Sequence, residues 1–302
     1  MSGNTEFRTL ETEPRKLLHS VFLEAFADYP VPVRLSHADF SAMHRRRGID
    51  YTASVGAYVD DRLVGFIFNG VDDWHGRKTA YDGGTGMLPD WRGQGILKQL
   101  IAFSKNRLHE LGCRQWLLEV LQDNVKAVAA YEHAGFRKTR ELYCFERNGS
   151  QVGTGDNRTI GRGLRPRTSR GGKQAAWTIS SCSLPEALPD HGWLEWLPSW
   201  QNSEASILRS PEPMYCFRAI ASEQKIGTII ATAGGSICQL AVAPEFRRQG
   251  VGNTLLAILA GDDPEVKIRY VNIDGSDSGH LAFMLSAGFR ESARQWEMLA
   301  DL

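Results

Sequence analysis

The stretch WRGQGILKQL, Trp91–Leu100, places an arginine and two glycines directly before an apolar helix pattern. Glycines allow a tight turn and close approach of a ligand to the backbone, and the first N–H groups of a helix have no partner within it. Such a turn can bind phosphate, although an ordinary loop-to-helix junction has the same local pattern. A second version, FRRQGVGNTL at Phe246–Leu255, allows the two readings to be compared.

The two stretches belong to a longer internal repeat. Pro89 precedes the first turn and Pro244 the second, at an offset of 155 residues. Further on, HAGFR (His133–Arg137) faces SAGFR (Ser286–Arg290) at an offset of 153. Strand and helix patterns follow in the same order around both landmarks, which predicts a tandem duplication with a diverged second copy.

The composition changes between the copies. The segment Asn148–Lys173 is rich in Gly, Ser, Thr and Arg and has almost no apolar periodicity, which is typical of an exposed linker. Its arginines are able to contact phosphates, but a plain linker explains the composition. We therefore predict an N-terminal domain at 1–147, a linker at 148–174 and a C-terminal domain at 175–302.

The overall composition excludes several classes of protein. The 302 residues include 35 basic and 35 acidic side chains, so neutralising nucleic-acid phosphates is not expected to be the main task. Five widely spaced cysteines form neither a disulfide framework nor a metal pair, and no zinc motif is present, so no metal is expected. Without a signal peptide or a long apolar run, we expect a cytoplasmic protein that does not enter membranes.

A second motif follows the first turn at a fixed spacing. Arg92-Gly93-Gln94-Gly95-Ile96-Leu97 is followed by Asn124, Ala127, Tyr131, Gly135 and Phe136. The pair resembles the signature of the GNAT superfamily, the GCN5-related N-acetyltransferases, in which Arg/Gln-x-x-Gly-x-Gly/Ala precedes Asn-x-x-Ala-x-x-x-Tyr-x-x-x-Gly-Phe. The copies depart from it differently: Leu97 replaces the last small residue of the first turn, and Met284 replaces the tyrosine of the second copy.

The resemblance implies a fold and an activity. Two α/β domains are expected, each a mixed, mostly antiparallel twisted sheet flanked by helices, with a splayed strand pair that binds CoA. The implied enzyme is an acyltransferase that moves an acetyl group from acetyl-CoA to a primary amine by direct attack, with its active site in the N-terminal domain. A catalytically silent acyl-CoA-binding or interaction module is the alternative.

The same resemblance implies which residues bind the cofactor. A turn before a helix offers main-chain N–H groups to a pyrophosphate, and the end of the preceding strand would hold the pantetheine arm. In the first copy the implied residues are Met87, Leu88, Arg92, Gly93, Gln94, Gly95, Ile96, Leu97, Asn124 and Tyr131. In the second copy they are Leu240, Val242, Arg247, Arg248, Gln249, Gly250, Val251 and Gly252.

Three side chains are candidates for the chemistry. Tyr131 is the expected general acid because a phenol can donate a proton to a departing thiolate, although its helical spacing also suits a core aromatic. Asp82 and Glu119 are alternatives for the general base, and either would equally serve as a paired structural carboxylate. Asn124 would contact the cofactor, cap a helix, or do both.

The acceptor cannot be identified from the sequence. A small-molecule or peptide amine is the expected partner, without nucleic acid or membrane, and the chain would be a monomer or homodimer. In related enzymes the connection between the first two helices covers the acceptor, which here is FADYPVPV at 26–33. Trp193, Trp196 and Trp200 recur at helical intervals and are expected to pack on the second copy's sheet.

Overall fold

The computed structural model describes four stretches of the chain, residues 4–28, 34–148, 177–260 and 267–302. Of the predicted linker 148–174, only Asn148 lies within them. The elements of the first copy are β1 (Thr5–Thr9), α1 (Arg15–Ala25), α2 (His37–Arg47), β2 (Val55–Val59), β3 (Arg62–Trp74), β4 (Arg77–Met87), α3 (Ile96–Glu110), β5 (Gln115–Leu121), α4 (Val125–His133) and β6 (Arg137–Asn148). Those of the second are β7 (Trp177–Ser181), α5 (Leu184–Ala187), α6 (Glu204–Leu208), β8 (Met214–Ala221), β9 (Gln224–Thr232), β10 (Ser236–Val242), α7 (Val251–Ala260), β11 (Lys267–Asp274), α8 (Ser278–Ser286) and β12 (Arg290–Asp301).

Local sequence signals fix the ends of several elements. Ser36 and Asp39 form a capping box at the start of α2, and Gly48 ends that helix in the left-handed conformation. Asp60 and Asp61, both with positive φ, form the two-residue connection between β2 and β3, as the alternating pattern predicts. No helix in the four described stretches is long and apolar enough to cross a membrane.

The sheet of the first copy is antiparallel from β1 to β4. Strand β5 then pairs with β4 in parallel, because the chain crosses over through α3. Phenylalanines 22, 40, 66 and 68 form much of the core of this unit together with the fully buried Trp116. The indole N–H of Trp116 donates to the side-chain oxygen of the buried Asn69 at 3.0 Å. The one polar group of the buried indole is therefore hydrogen-bonded.

The second copy repeats this arrangement. Strands β7, β8, β9 and β10 are antiparallel neighbours, and β10 pairs with β11 in parallel. Its core includes Ile229, Leu255, Tyr270 and Phe289. Each copy is therefore a mixed, mostly antiparallel sheet with helices, which confirms the predicted fold class.

The packed units do not follow the repeat boundaries at every point. The first unit runs to Arg140 and also contains Arg209–Pro211 and Trp296–Leu302, whereas the second contains Glu141–Leu208 and Glu212–Gln295. Met298 and Ala300, from the end of the chain, are accordingly buried in the core of the first unit. The domain limits 1–147, 148–174 and 175–302 stay a prediction of where each copy of the repeat begins and ends.

Candidate active site

The parallel ladder between β4 and β5 ends before the strands do. It runs from the pair Thr79–Gln115 to the pair Asp82–Leu118, while β4 stays paired with β3 as far as Met87. The last residues of β4 and β5 therefore part from each other. Strands β10 and β11 part in the same way after the pair Ile237–Tyr270. These openings confirm the predicted splayed strand pair in both copies.

A β-bulge lies at the opening of the first copy. The register between β3 and β4 shifts between the pairs Phe68–Gly84 and Asn69–Asp82, which leaves Gly83 as the extra residue. Arg47, at the end of α2, donates to the Gly83 carbonyl at 2.6 Å. The N–H of Gly84 donates to an Asp82 carboxylate oxygen at 3.0 Å. The peptide between the two glycines is thus held at both ends.

Asp82 accepts hydrogen bonds from three donors. Besides the Gly84 N–H, the Thr85 hydroxyl donates at 2.6 Å and the Tyr131 hydroxyl at 3.1 Å, both to Oδ2. Asp82 is only 6% exposed. Burial raises its pKa, whereas the hydrogen bonds from Thr85, Tyr131 and Gly84 and the charge of Arg47 oppose that change. Two predicted site residues, Asp82 and Tyr131, are therefore in direct contact.

Glu119 belongs to a different pair. The hydroxyl of Tyr81 donates to Glu119 Oε2 at 3.1 Å, and Tyr81 itself is buried. Burial and the neighbouring Glu119 charge raise the pKa of the Tyr81 phenol well above its usual value, so it remains a donor. Because Tyr81 and Asp82 are adjacent on β4, their side chains point to opposite faces of the sheet. Glu119 and Tyr131 consequently lie on opposite sides of the opening.

The turn leads from β4 into α3. A short 3-10 helix, Pro89–Trp91, is followed by Gly93 and Gly95, which have φ of +73° and +78°. No side chain caps α3 and its first turn has no acidic residue, so its N-terminal N–H groups face outward without a competing carboxylate. A Cβ placed on Gly93 or Gly95 would meet nothing within 4 Å. The turn therefore has open space around its two glycines and no side chain capping the helix that follows.

The long side chains of this motif bond to the protein itself. Arg92 donates through Nε to the Met87 carbonyl at 3.0 Å and through both terminal nitrogens to Asp28 at 2.5 and 3.0 Å. The amide of Gln94 donates to the Asp90 carbonyl at 2.8 Å. These contacts fix the turn on the end of β4 and near the end of α1. Both side chains are therefore engaged in contacts within the protein.

The remaining predicted cofactor residues have mixed surroundings. Ile96 is buried and Leu97 half-buried, both packed on the core of the first unit. The N–H of Leu88 donates to the Val64 carbonyl at 2.9 Å. Asn124 caps α4 by accepting a hydrogen bond from the Ala127 N–H at 3.2 Å. This confirms the predicted role of Asn124 as a helix cap. Of the predicted acceptor cover at 26–33, residues 29–33 lie outside the described residues.

In the second copy the framework of the motif is retained. Arg247 donates to the Val242 carbonyl at 3.2 Å and forms an ion pair with Glu195. Gln249 donates to the Glu245 carbonyl at 2.9 Å. Arg248 occupies the place of Gly93 with φ of +62°, a conformation that costs a non-glycine residue about 1 kcal/mol. The turn therefore keeps its shape with only one glycine at positive φ, Gly250.

The interior of the second opening differs from the first. Tyr270 is buried there, and a hydrogen bond from the Leu240 main chain partly offsets the rise that burial causes in its pKa. The ring of Phe283 lies 3.0 Å from the position a Cβ would take on Gly252. Val251 is buried, as is its counterpart Ile96.

The titratable residues of the first site have no counterparts in the second. By the register of the repeat, Asp82, Glu119 and Tyr131 correspond to Ile237, Asn272 and Met284. All three are buried, and Asn272 accepts a hydrogen bond from Gln295 at 2.7 Å. Over the described residues, no group of three or more His, Cys, Asp or Glu side chains is placed to hold a metal ion. By this register, the three predicted catalytic side chains therefore occur in the first copy and are replaced in the second.

Comparison with known proteins agrees with this geometry. The model of the Acetyltransferase (GNAT) family matches residues 13–136 and 174–280, which is more than half of the chain. The chain belongs to the GNAT family. The tandem GNAT protein from the clavulanic acid biosynthesis pathway, solved without AcCoA, has a TM-score of 0.71 over 99% of this chain and 98% of that chain, at 15% identity. At that identity the likeness shows the fold.

Two curated relatives match parts of this GNAT chain. Mycothiol acetyltransferase of Cellulomonas flavigena is 30% identical over 125 residues, which are 38% of this chain and 35% of the relative. N-alpha-acetyltransferase 30 of Schizosaccharomyces pombe is 29% identical over 97 residues, which are 32% of this chain and 65% of the relative. The chain thus covers about a third and just under two thirds of the lengths of these relatives.

Sequence reasoning missed Tyr81, Thr85 and Arg47. Tyr81 adjoins Asp82 in a strand with an apolar environment, where an aromatic residue is most simply read as core. Thr85 lies three residues after Asp82, a spacing that brings the two side chains together only because of the bulge. Arg47 follows two other arginines at a helix end, a pattern that more often marks a solvated surface.

Proposed function

We propose that the chain is an acetyl-CoA-dependent N-acetyltransferase that acetylates a primary amine, with its active site in the first copy. Support comes from membership in the GNAT family together with one observation. Glu119 and the Tyr131 hydroxyl lie on opposite faces of the sheet at the point where β4 and β5 part. That arrangement separates a proton acceptor from a proton donor across one opening, as amide formation from a thioester requires.

The residues at the first turn fit acetyl-CoA. The main-chain donors of Gly93–Leu97 would hold its pyrophosphate, because the helix end is uncapped and the space around the two glycines is open. The end of β4, up to Met87, would line the arm of the cofactor along the parted strands. Arg92 and Gln94 would contribute by holding the turn in shape. When bound, acetyl-CoA supplies an acetyl group on a thioester.

The chain's own residues would then move two protons. The nitrogen of a neutral amine attacks the thioester carbonyl carbon, so that a C–N bond forms and the C–S bond breaks. Glu119 would accept the proton that the amine loses, and the Tyr131 hydroxyl would turn from Asp82 to donate its single proton to the departing sulfur. Main-chain N–H groups at the end of β4 would stabilise the developing oxyanion. Exchange with water restores both side chains.

The base is assigned to Glu119 and not Asp82 because of access. Asp82 is 6% exposed and its carboxylate is already bonded to three donors. Glu119 is half-buried on the face of the sheet where α2 reaches the bulge through Arg47. That face is next to the two N-terminal helices, which in related enzymes cover the acceptor. Glu119 is the less enclosed of the two carboxylates, so we place the amine on its face of the sheet.

We assign no chemistry to the second copy. Its opening contains Tyr270, and Ile237, Asn272 and Met284 supply neither an acid nor a base. Its remaining role would be to complete the fold. The acceptor of the first copy would be a small-molecule or peptide amine; the two curated relatives are named mycothiol acetyltransferase and N-alpha-acetyltransferase 30.

Turnover tests this proposal. Acetyl-CoA is mixed with a panel of small amines and peptides, and the released thiol is detected alongside the acetylated product. We expect at least one amine to be acetylated, and we expect Tyr131→Phe to lower turnover at least about tenfold, since general acid catalysis contributes roughly 10²–10⁴. Affinity for acetyl-CoA should change little.

Two results would contradict the proposal. Unchanged turnover in Tyr131→Phe would remove Tyr131 from the mechanism. Binding of acetyl-CoA without turnover of any amine in a broad panel would favour the alternative function, a catalytically silent acyl-CoA-binding or interaction module. Met284→Leu in the second copy is the matched control, because it alters the corresponding position where no chemistry is expected.

A further inference from the structure

We propose that Asp82 is a positioning residue whose carboxylate holds the hydroxyl of Tyr131 in place, and that it does not act on the amine. The contact itself is the first observation. Tyr131 donates to Asp82 Oδ2 at 3.1 Å, across 49 residues of sequence, and Thr85 donates to the same oxygen at 2.6 Å. A phenol whose hydroxyl donates to a fixed carboxylate has its oxygen atom held at a defined position.

The carboxylate is itself held by the strand. Its other oxygen accepts from the Gly84 N–H at 3.0 Å, and the carbonyl on the far side of that peptide accepts from Arg47 at 2.6 Å. The bulge at Gly83 therefore fixes Asp82, and Asp82 fixes Tyr131. A group with three donors and almost no exposed surface is suited to orientation more than to proton exchange with a substrate.

The faces of the sheet separate Asp82 from the base. Asp82 and Asn69 are paired on β4 and β3, and Asn69 bonds to Ser104 of α3 at 3.0 Å, so both side chains lie on the α3 face. Glu119 is bonded to Tyr81, which points to the opposite face. Asp82 thus shares a face with the acid and not with the base.

The second copy supports the pairing. There the counterpart of Asp82 is Ile237 and the counterpart of Tyr131 is Met284, so both members of the contact are absent together. Both replacements are buried apolar side chains. A carboxylate retained only for packing would not need to disappear along with the tyrosine.

The titration of the Tyr131 phenol should report directly on its contact with Asp82, given the charged groups around it. Asp82 contacts it from β4, and Arg47 acts on Asp82 from the other face. On α3, Lys105 donates to the Ala134 carbonyl at the end of α4, at 3.4 Å. Loss of the Asp82 charge and acceptor should therefore make the Tyr131 phenol easier to deprotonate.

The test uses the full chain with tyrosine labelled at the ring carbon that carries the oxygen. The Tyr131 signal among eight tyrosines is assigned with Tyr131→Phe and titrated by NMR. We expect Asp82→Asn to lower the titration midpoint of Tyr131 by about one pH unit. Glu119→Gln, on the other face, should move it much less. An unmoved midpoint in Asp82→Asn would overturn the proposal, and Asp82→Ser provides a second variant should Asp82→Asn not fold.

Kinetics give an independent test. Only this kinetic test rests on the proposed function. The NMR titration needs no acceptor amine, and its result holds even if no amine is acetylated. Asp82→Asn should shift the alkaline limb of the pH–rate profile downward by a similar amount and have little further effect in a Tyr131→Phe background. An equal loss of turnover in both backgrounds would show that Asp82 acts on its own, as a base would.

Discussion

The two copies share a turn held by the same hydrogen bonds, and they differ in what surrounds the opening beside it. Arg92 and Arg247 both bond back to the carbonyl five residues earlier, and Gln94 and Gln249 both bond to the carbonyl four residues earlier. The first opening has Asp82, Glu119 and Tyr131 around it, whereas the second has Ile237, Asn272 and Met284. The presence of the turn motif therefore indicates the fold, but it does not by itself indicate catalytic activity.

Replacement of Glu119, the proposed base, should lower turnover more than any other change. Glu119→Gln keeps the shape of the side chain and the bond from Tyr81 but cannot take a proton. We expect turnover to fall by about 10²-fold or more, since general base catalysis contributes that much and the second copy has no carboxylate in the corresponding place. Steady-state rates on an acetylated amine measure this.

The matched control for that variant is Glu132→Gln. Glu132 is an exposed carboxylate on α4 that pairs with Lys138 at 2.9 Å, away from the opening. Its loss should leave turnover within a factor of about two, because exposed ion pairs contribute little. If both variants retained full activity, Glu119 would not be the base.

A smaller effect is expected at the two turns. Gly95 and Gly250 both have positive φ, +78° and +91°, and a Cβ on either meets nothing within 4 Å. Alanine in place of each should therefore cost similar backbone strain, about 1 kcal/mol. We expect Gly95→Ala to weaken acetyl-CoA binding about tenfold, whereas Gly250→Ala leaves it unchanged. Calorimetric titration of both variants distinguishes them, and equal weakening would contradict the assignment of binding to the first copy.

Acidification should affect both copies alike, through one buried histidine in each. Burial lowers the pKa of His44 to about 3, helped by the charges of Arg47 and Arg15, and burial lowers that of His280 to about 4. The unfolded chain takes up these protons near pH 6.5, so the stability they contribute is present above that pH and is lost as pH falls toward 3–4.

Near neutral pH, the change in unfolding free energy that these histidines cause is the smallest of the effects predicted here. Each histidine should add up to about 1.4 kcal/mol per pH unit to the loss of unfolding free energy below pH 6.5. His44→Phe and His280→Phe should each make that dependence less steep, as urea unfolding at pH 7, 6 and 5 would show. Parallel curves for the variants and the original protein would refute the attribution.

Much of the fold could be predicted from local pattern. Alternating strands, the capping residue Asn124 and the turn before α3 all depend on short-range rules, and the structure confirms them. The duplication strengthened each prediction, because a feature seen twice at one offset is less open to chance. The opening between β4 and β5 followed from the resemblance at the same turn.

What the sequence could not predict depends on contacts between distant residues. Nothing local shows that Asp82 and Tyr131 meet, or that Met298 and Ala300 join the core of the first unit. A strand's pattern shows which face is buried but not which strand is its neighbour. The contact between Asp82 and Tyr131 and the composition of each packed unit therefore needed the structure.

The three tryptophans of the second copy also show what a local pattern can and cannot predict. Trp193, Trp196 and Trp200 are buried as expected from their spacing. The backbone around Trp193 and Trp196, however, forms bends and not a helix. Prolines at 189 and 198 flank these two residues and oppose a continuous helix. Apolar spacing here indicated burial correctly, while the conformation was decided by residues outside the pattern.

The stoichiometry of acetyl-CoA binding tests the difference between the copies most directly. Isothermal titration of the full chain should give one binding site per chain, which Gly95→Ala weakens and Gly250→Ala does not. The account predicts this because the first turn has glycine at both of its positive-φ positions, whereas Arg248 takes the place of Gly93 in the second and the buried Tyr270 lies where β10 and β11 part. Two equivalent sites per chain, or a single site weakened only by Gly250→Ala, would contradict the account.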